Sequence, residues 1–200
     1  VAVGGGGLIA GIGAYLNKVH PSVKIIGVEA ADSAGLHASV KAGKRVKLKE
    51  VGLFADGAAA KQIGKNNYEL IKNFLDDSIT VDTDEICAAV KDTFLETRTV
   101  PEPTGALALA GLKKYISQKR IKNKNLIATY CGSNLNFESL GHIVERSKIG
   151  EKKEIILSIA IDEKKGSFRK LCRDIGQKNI TEFSYCLLYT SDAADEWLRG

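Results

Sequence analysis

Short apolar runs alternate with amphipathic stretches over the first two thirds of the chain. The opening VAV and the runs KIIGVEA and NLIATY are apolar enough for buried strands, and SITVDT reads as a further strand. Between the first two runs, apolar residues recur at helical spacing from Leu8 to Leu16. This alternation continues to about Asn136. It predicts an α/β fold with a parallel sheet covered by helices on both faces.

Several segments carry signals for where helices begin and end. SAGLHASVKAG is predicted to be a helix closed by Gly43, and NNYELIKNFLDD is predicted to be a second helix. The helix DTDEICAAVKDTFLETR begins with Asp82 and Glu85 at capping-box spacing. In PEPTGALALAGLKKYI, Thr104 is the expected cap of a helix whose small residues allow close packing.

The pattern changes after about residue 147. The charged segment SKIGEKKE is predicted to be a linker, and EIILSIAI, GSFRKLCRDIG and NITEFSY then predict a strand, a helix and a strand. Apolar residues alternate in this second unit, so its sheet is expected to have one exposed face. The final stretch CLLYTSDAADEW breaks the preceding pattern.

Composition and charge narrow the functional classes. The 200 residues are 44% hydrophobic and 26% charged, as in ordinary globular proteins, and no apolar run is long enough to span a membrane. The net charge is +5, but the basic runs lack interleaved aromatic residues, which argues against nucleic-acid binding. The spacing of the cysteines fits neither disulfides nor a zinc site, so a reduced, cytoplasmic protein is expected. These are Cys87, Cys131, Cys172 and Cys186.

The clearest candidate for chemistry is the opening VAVGGGGLIAGIGAYL. Four consecutive glycines lie between a predicted strand and a predicted helix. They remove every Cβ and leave free backbone amides at the positive end of the helix dipole. Such a turn is suited to an anion, and a phosphate is the ligand that the pattern favours.

The same glycines also fit a dinucleotide fingerprint. Gly5, Gly7 and Ala10 match G-x-G-x-x-G/A, and Glu29 ends the next strand where a carboxylate for the ribose is expected. A nicotinamide-dependent oxidoreductase is therefore one alternative. Glu29 could equally be a carboxylate at the rim of the sheet.

Five ordered segments favour a different family. VAVGGGGLIAGI, VGLFADGAAAKQIG, TVDTDEICAAVKDTFLETR, EPTGALALAGLKKY and CGSNLNFESL together resemble the biosynthetic threonine dehydratases. These enzymes depend on pyridoxal phosphate and have the fold of the tryptophan-synthase β subunit, fold type II. The resemblance extends from Val1 to about Tyr185. It implies part of the catalytic domain at 1–147, an incomplete first half of an ACT-like α+β regulatory domain at 151–185, and an artefactual tail at 186–200 that resembles translated adapter sequence.

The resemblance also implies which residues bind the cofactor. Gly4, Gly5, Gly6, Gly7 and Leu8 match the loop that binds the cofactor phosphate. Cys131 matches the residue that faces the pyridine nitrogen, where this family usually has serine and related serine dehydratases have cysteine. A thiol leaves that nitrogen essentially unprotonated, which favours prompt β-elimination over transamination.

Two acidic residues each have two interpretations. Glu102 begins a helix, so dipole complementarity explains it nearly as well as a role beside the cofactor ring. Glu29 matches a cation-site position of related enzymes, but the partner acid of that site is Gly35 here. No metal is therefore predicted.

The family's Schiff-base lysine lies in a Ser-Phe/Tyr-Lys-x-Arg-Gly-Ala motif upstream of the glycine loop. That motif does not occur in this sequence, and GSFRKLC has Arg169 where lysine would stand. The chain is therefore identified as a fragment without an assigned catalytic residue and is expected to be inactive. A non-catalytic, amino-acid-binding regulatory fragment is the third hypothesis.

For the parent protein, the resemblance implies deamination of L-threonine to 2-oxobutyrate and ammonia, the first step of isoleucine biosynthesis. L-Serine is a second possible substrate. Isoleucine and valine are the implied allosteric effectors, and the intact protein is expected to be a homotetramer.

Overall fold

The computed structural model describes residues 1–186. Val1–Ile156 form one compact unit, and a second unit begins at Leu157. The first contains two strands, six helices and 3₁₀ turns at Ala31–Ser33 and Asp56–Ala58. Its strands are β1 (Ile25–Ala30) and β2 (Leu75–Val81), and its helices are α1 (Gly7–Val19), α2 (Gly35–Ala42), α3 (Lys65–Ile71), α4 (Thr83–Thr97), α5 (Pro103–Lys119) and α6 (Ser139–Gly150).

The sheet is parallel, as the sequence predicts. β1 pairs with β2, with Val28 opposite Ile79, and Ala2 forms a parallel bridge to Val28 on the other side of β1. The Val3 N–H donates to the Val28 carbonyl at 2.9 Å. Three parallel segments therefore place the end of the VAV run at the same edge of the sheet as the carboxyl ends of both strands.

Both faces of the sheet are covered, which confirms the predicted layering. Val28 and Val81 face one apolar cluster, which includes Leu107 of α5 and Ile86 of α4. Residues of α1, α2 and α3 pack against the other face in a second cluster. Its largest fully buried side chains are Ile9, Leu36, Ile63 and Ile71.

Two predicted helix ends are confirmed and one predicted cap is wrong. Gly43 ends α2 with a left-handed backbone at φ of 63°. The capping box of α4 is present, with the Glu85 N–H donating to Asp82 Oδ1 at 2.8 Å and the Asp82 N–H to Glu85 Oε2 at 2.9 Å. The predicted cap at Thr104 is wrong. Glu102 is the N-cap of α5, and Pro103, which has no N–H to cap, takes the first helical position.

The boundary between α3 and β2 lies earlier than predicted. The helix ends at Ile71, and the strand begins at Leu75, three residues before SITVDT. Phe74 explains the early end, because its ring packs directly against Gly13, where any Cβ would overlap with the ring. The ring of Phe74, three residues after the end of α3, thus packs on the surface of α1 where Gly13 has no side chain.

The predicted strand NLIATY is not formed among the described residues. Ile127 is 88% exposed, and no described segment pairs with residues 125–130. A strand needs a neighbour for its backbone hydrogen bonds, and apolar composition alone supplies none. The apolar pattern is therefore present here without the pairing that would make it a strand.

The linker SKIGEKKE is partly helical, contrary to prediction. Its first four residues belong to α6, which packs on α4. Gly150 permits that contact, since a Cβ there would overlap with the Asp84 carbonyl oxygen. Arg146 Nε also lies 2.6 Å from Asp84 Oδ1.

The second unit contains one confirmed element. GSFRKLCRDIG forms α7 (Ser167–Ile175), and the rings of Phe168 and Phe183 meet edge to face at 5.4 Å. The predicted strands EIILSIAI and NITEFSY are not assigned among the described residues. Of the predicted tail at 186–200, all but Cys186 lies outside the described residues, and the three domain limits stay predictions.

None of the helices in residues 1–186 combines the length and the apolar character that crossing a bilayer requires.

Candidate functional site

The four glycines form the predicted turn from strand to helix. Val3 pairs with β1, Gly6 has a left-handed backbone with φ of 85° as the N-cap of α1, and Gly7 begins that helix. The Gly5 carbonyl accepts hydrogen bonds from the Gly64 N–H at 3.1 Å and from Asn67 Nδ2 at 2.8 Å. These contacts fix the turn through a carbonyl. Within residues 1–186, no hydrogen bond uses an amide of residues 4–8 as donor.

The glycines serve two different purposes. A Cβ on Gly4 would lie 2.9 Å from Ala58 Cα, and one on Gly6 would lie 2.9 Å from the Ile63 side chain. Packing therefore excludes side chains at these two positions. At Gly5 and Gly7, a Cβ would meet nothing within 4 Å. Their bare backbone instead borders open space that an anion can approach.

Cys131 lies in a backbone segment held against the start of α5. A Cβ on Gly105 would overlap with the Cys131 carbonyl oxygen, so the absence of that atom permits the contact. The Asn134 N–H donates to Glu102 Oε2 at 3.1 Å. The pKa of the Cys131 thiol is raised by its burial and, to a smaller extent, by the negative charge of Glu102. The thiol therefore stays protonated at neutral pH.

The 3₁₀ turn Asp56–Ala58 contacts the glycine turn and the start of α5. Ala58 packs on Gly4, and a Cβ on Gly57 would lie 3.1 Å from Thr104 Oγ1 in α5. The glycine turn and the start of α5 thus share a common neighbour, and α5 in turn meets the Cys131 carbonyl at Gly105.

Two cavities of the described structure lie beside other residues. One of about 200 Å³ lies at the carboxyl ends of β1 and β2 and is lined in part by Phe54 and Asp82. The other, of about 560 Å³, borders α2 and is lined in part by His37 and Lys41. Neither lining includes the glycine turn or Cys131, so a single pocket shared by those two stays a prediction.

Glu29 is occupied by the backbone of α2. It is 2% exposed, and its Oε1 and Oε2 accept the N–H groups of Leu36 and His37, each at 2.7 Å. Burial raises the pKa of Glu29 to about 7 even though these amide bonds favour the ionised form. A carboxylate used in this way is not free to bind a ribose. The decisive residue of the dinucleotide interpretation therefore has a structural role.

Glu29 makes stability depend on pH. Its pKa is about 7 in the folded chain against an ordinary value of 4.5 for a glutamate in water, so the folded state binds this proton more tightly. Stability from this group is therefore lost as pH rises from about 4.5 to about 7. Glu29→Gln removes this titration. Between pH 5 and pH 8, we expect the free energy of unfolding of the variant, measured in urea, to rise relative to that of the unsubstituted chain by up to about 3 kcal/mol. Glu145→Gln, at an exposed position, is the control. If the difference in unfolding free energy between Glu29→Gln and the unsubstituted chain is the same at pH 5 and pH 8, the raised pKa of Glu29 is contradicted.

No group of three or more His, Cys, Asp or Glu side chains within residues 1–186 is arranged to hold a metal ion.

The hydrophobic pattern did not indicate several contacts that organise the site. Asn67 holds the Gly5 carbonyl from α3, and Asn134 joins Glu102 from a loop. The ring of His142 in α6 meets Phe54 edge to face at 5.8 Å. These residues come from distant parts of the sequence. Of these, only Glu102 was indicated by the sequence, as a carboxylate at the start of a helix.

Comparisons with known proteins identify the family of the chain. The sequence profile described as "Pyridoxal-phosphate dependent enzyme" matches residues 1–132. A second profile, "C-terminal regulatory domain of Threonine dehydratase", matches residues 145–195.

Individual relatives point the same way. The chain is 49% identical to "L-threonine dehydratase biosynthetic IlvA" of Burkholderia multivorans over 185 residues, which cover 92% of this chain and 36% of the relative. It is 50% identical to "Threonine dehydratase, mitochondrial" of Schizosaccharomyces pombe over 186 residues, or 92% of this chain and 31% of the relative. The chain thus spans about a third of the length of these curated relatives.

A solved structure shares the fold of most of the chain. The processed form of threonine deaminase isoform 2 from Solanum lycopersicum superposes with a TM-score of 0.72 at 39% identity. The match covers 73% of this chain and 43% of that chain. Since the first profile matches more than half of the sequence, including the glycine turn, the chain belongs to the family of pyridoxal-phosphate-dependent enzymes.

Proposed function

We propose that the chain is part of a threonine dehydratase that converts L-threonine to 2-oxobutyrate and ammonia. The observation that carries the proposal is the glycine turn, whose amides have no acceptor among the described residues and whose Gly5 and Gly7 border open space. The high identity to named threonine dehydratases supports the same reaction. Threonine is the substrate that we propose, and serine is the alternative.

The residues of the turn fit the phosphate of the cofactor. Gly4, Gly5, Gly6, Gly7 and Leu8 are the residues that would hold it, with their N–H groups donating to phosphate oxygens at the N-terminus of α1. Each charge-assisted hydrogen bond of this kind contributes roughly 1.5–3 kcal/mol. The side chain of Leu8 is 45% exposed, so its contribution to the site is its backbone amide.

Cys131 is the residue that would face the pyridine ring. Pyridoxal phosphate, when bound, supplies an electron sink that acidifies the α-proton of an amino acid. The Cys131 thiol stays neutral because burial and the charge of Glu102 raise its pKa. A neutral thiol is too weak an acid to protonate a pyridine nitrogen, so this residue favours elimination over reactions that need a protonated ring.

Regulation and assembly are further parts of the proposal. The match of residues 145–195 to a threonine-dehydratase regulatory domain supports binding of amino-acid effectors by the whole protein. Isoleucine and valine are the effectors that we propose, and a homotetramer is the proposed assembly. We also propose a cytoplasmic location, although the fission-yeast relative is named as mitochondrial.

The two alternatives differ in their support. The hypothesis of a nicotinamide-dependent oxidoreductase needs a carboxylate that binds the ribose. Glu29 is not free for that role, because its oxygens accept hydrogen bonds from the amides of α2. The non-catalytic, amino-acid-binding regulatory fragment describes only what this chain by itself would do. Its activity therefore has to be measured.

We expect no turnover of threonine by the chain itself. The lysine motif of the family does not occur in the sequence, and the loss of a general base alone costs about 10²–10⁴-fold in rate. The experiment adds pyridoxal phosphate and threonine to the purified chain and follows 2-oxobutyrate. Turnover near that of an intact dehydratase would contradict this expectation and would direct attention to another lysine, such as Lys61.

The same sample tests the cofactor proposal. Pyridoxal phosphate at a concentration of about 100 times Kd stabilises a folded chain by about 2.7 kcal/mol, whereas pyridoxal, which lacks the phosphate, should give much less. Equal thermal shifts with both compounds would overturn the proposed phosphate site.

A further inference from the structure

Glu102 does not cap its own helix, although it occupies the N-cap position of α5. No hydrogen bond joins its side chain to the first turn of α5. Its Oε2 instead accepts the N–H of Asn134 at 3.1 Å, and its own N–H donates to the Gly132 carbonyl at 3.3 Å. Glu102 thus makes hydrogen bonds to the segment that follows Cys131 through both the backbone and the side chain of Glu102.

The shape of that segment matches this contact. Gly132 has a left-handed backbone with φ of 87°, and a Cβ there would overlap with Glu102 Oε1. Gly105 lets the Cys131 carbonyl approach α5 in the same way, since its Cβ would overlap with that oxygen. The two glycines and the carboxylate together determine where the backbone at Cys131 lies relative to α5.

We propose that Glu102 is a positioning residue that fixes the loop 131–134 on the N-terminus of α5 and thereby sets the place of Cys131 in the cofactor site. The inference rests on the proposed function for what Cys131 faces. It assigns Glu102 a hydrogen-bonding role toward the loop, which is distinct from both a helix cap and a contact with the ring.

The chemistry of Cys131 gives a readout that needs no cofactor. Iodoacetamide reacts with thiolates, so the alkylation rate at Cys131 reports both the charge near its sulfur and the access to it. Peptide mass spectrometry separates the four cysteines. Cys172 is exposed and Cys87 is buried, so they report general reactivity and global unfolding respectively.

Two substitutions of Glu102 separate charge from hydrogen bonding. Glu102→Gln and Glu102→Ala both remove the negative charge and so lower the pKa of Cys131, but only glutamine keeps an oxygen for the Asn134 N–H. We expect alkylation of Cys131 at pH 8 to be less than about threefold faster in Glu102→Gln and about tenfold or more faster in Glu102→Ala. Glu145→Gln, at an exposed position, is the matched control and should leave the rate unchanged.

A third variant keeps the charge and disturbs the contact. Gly132→Ala places a Cβ against Glu102 Oε1, so Cys131 should also react faster, with Cys87 still protected. This variant decides the matter if Glu102→Ala exposes Cys87 and so proves unfolded. Equal rates in the two Glu102 variants, within about twofold, or an unchanged rate in Gly132→Ala, would overturn the proposal. The alkylation assay contains no cofactor, so that failure would leave the proposed function standing. Failure of the unsubstituted chain to bind pyridoxal phosphate would instead refute the proposed cofactor site, whatever the reactivity of Cys131.

Discussion

Replacing Gly5 by alanine is expected to weaken the binding of pyridoxal phosphate about ten- to a hundredfold without destabilising the chain. A methyl group at this position meets no protein atom within 4 Å, so the fold accommodates it. The same methyl group enters the space next to the free amides and keeps a phosphate from at least one of them. Losing one charge-assisted hydrogen bond costs roughly 1.5–3 kcal/mol, which gives that range of affinity. Cofactor titration by absorbance and urea unfolding measure the two quantities separately.

Gly11→Ala is the matched control for this variant. Gly11 lies within α1, and its Cβ would also meet nothing within 4 Å, but it lies beyond the turn. We expect unchanged cofactor affinity and a stability gain of about 0.5–1 kcal/mol from the better helix former. If Gly5→Ala binds pyridoxal phosphate as tightly as Gly11→Ala does, the glycine turn is not the phosphate site.

Truncating Leu107 to alanine is expected to reduce the free energy of unfolding by about 2–5 kcal/mol. Leu107 is fully buried in α5 and belongs to the cluster that joins this helix to β1, β2 and α4. The substitution removes three buried carbon atoms and leaves a cavity between layers that cannot fully collapse. Urea denaturation followed by circular dichroism measures the change.

Leu95→Ala provides the comparison for Leu107. Leu95 lies in α4 with 50% of its surface exposed, so its truncation should change stability by less than about 0.5 kcal/mol. Similar losses for the two variants would show that α5 is not packed on the sheet as described.

Local signals account for the parts of the fold that the sequence predicts well. The glycine turn, the α1 stripe and the capping box at Asp82 and Glu85 each depend on residues within a few positions of one another. Backbone sterics and hydrogen bonding therefore determine them before any tertiary contact forms. The alternation of predicted strands and helices along the sequence also predicted the α/β class correctly.

Contacts between distant segments account for the failures. Residues 125–130 have the composition of a strand but lack a pairing partner among the described residues. The early end of α3 depends on a site for Phe74 on Gly13, which no local pattern reveals. The sequence suggested that Glu29 could bind a ligand, but in the fold its carboxylate accepts hydrogen bonds from the N-terminus of α2.

The same reasoning applies to the candidate site. The sequence singled out the glycines and Cys131, and the structure distinguishes Gly5 and Gly7, which border open space, from Gly4 and Gly6, which packing requires. That division depends on the positions of Ala58 and Ile63 in space. No inspection of the four identical residues could have supplied it.

The central claim is that the amides of residues 4–8 bind the phosphate of pyridoxal phosphate, and amide NMR tests it most directly. A ¹⁵N-labelled chain is titrated in parallel with pyridoxal phosphate, inorganic phosphate and pyridoxal. The account predicts that the largest amide shifts fall on Gly4, Gly5, Gly6, Gly7 and Leu8 with the two phosphate-bearing compounds and that pyridoxal leaves these signals nearly unchanged. Shifts from pyridoxal phosphate that fall on the residues lining either cavity, with none in the glycine turn, would contradict the account.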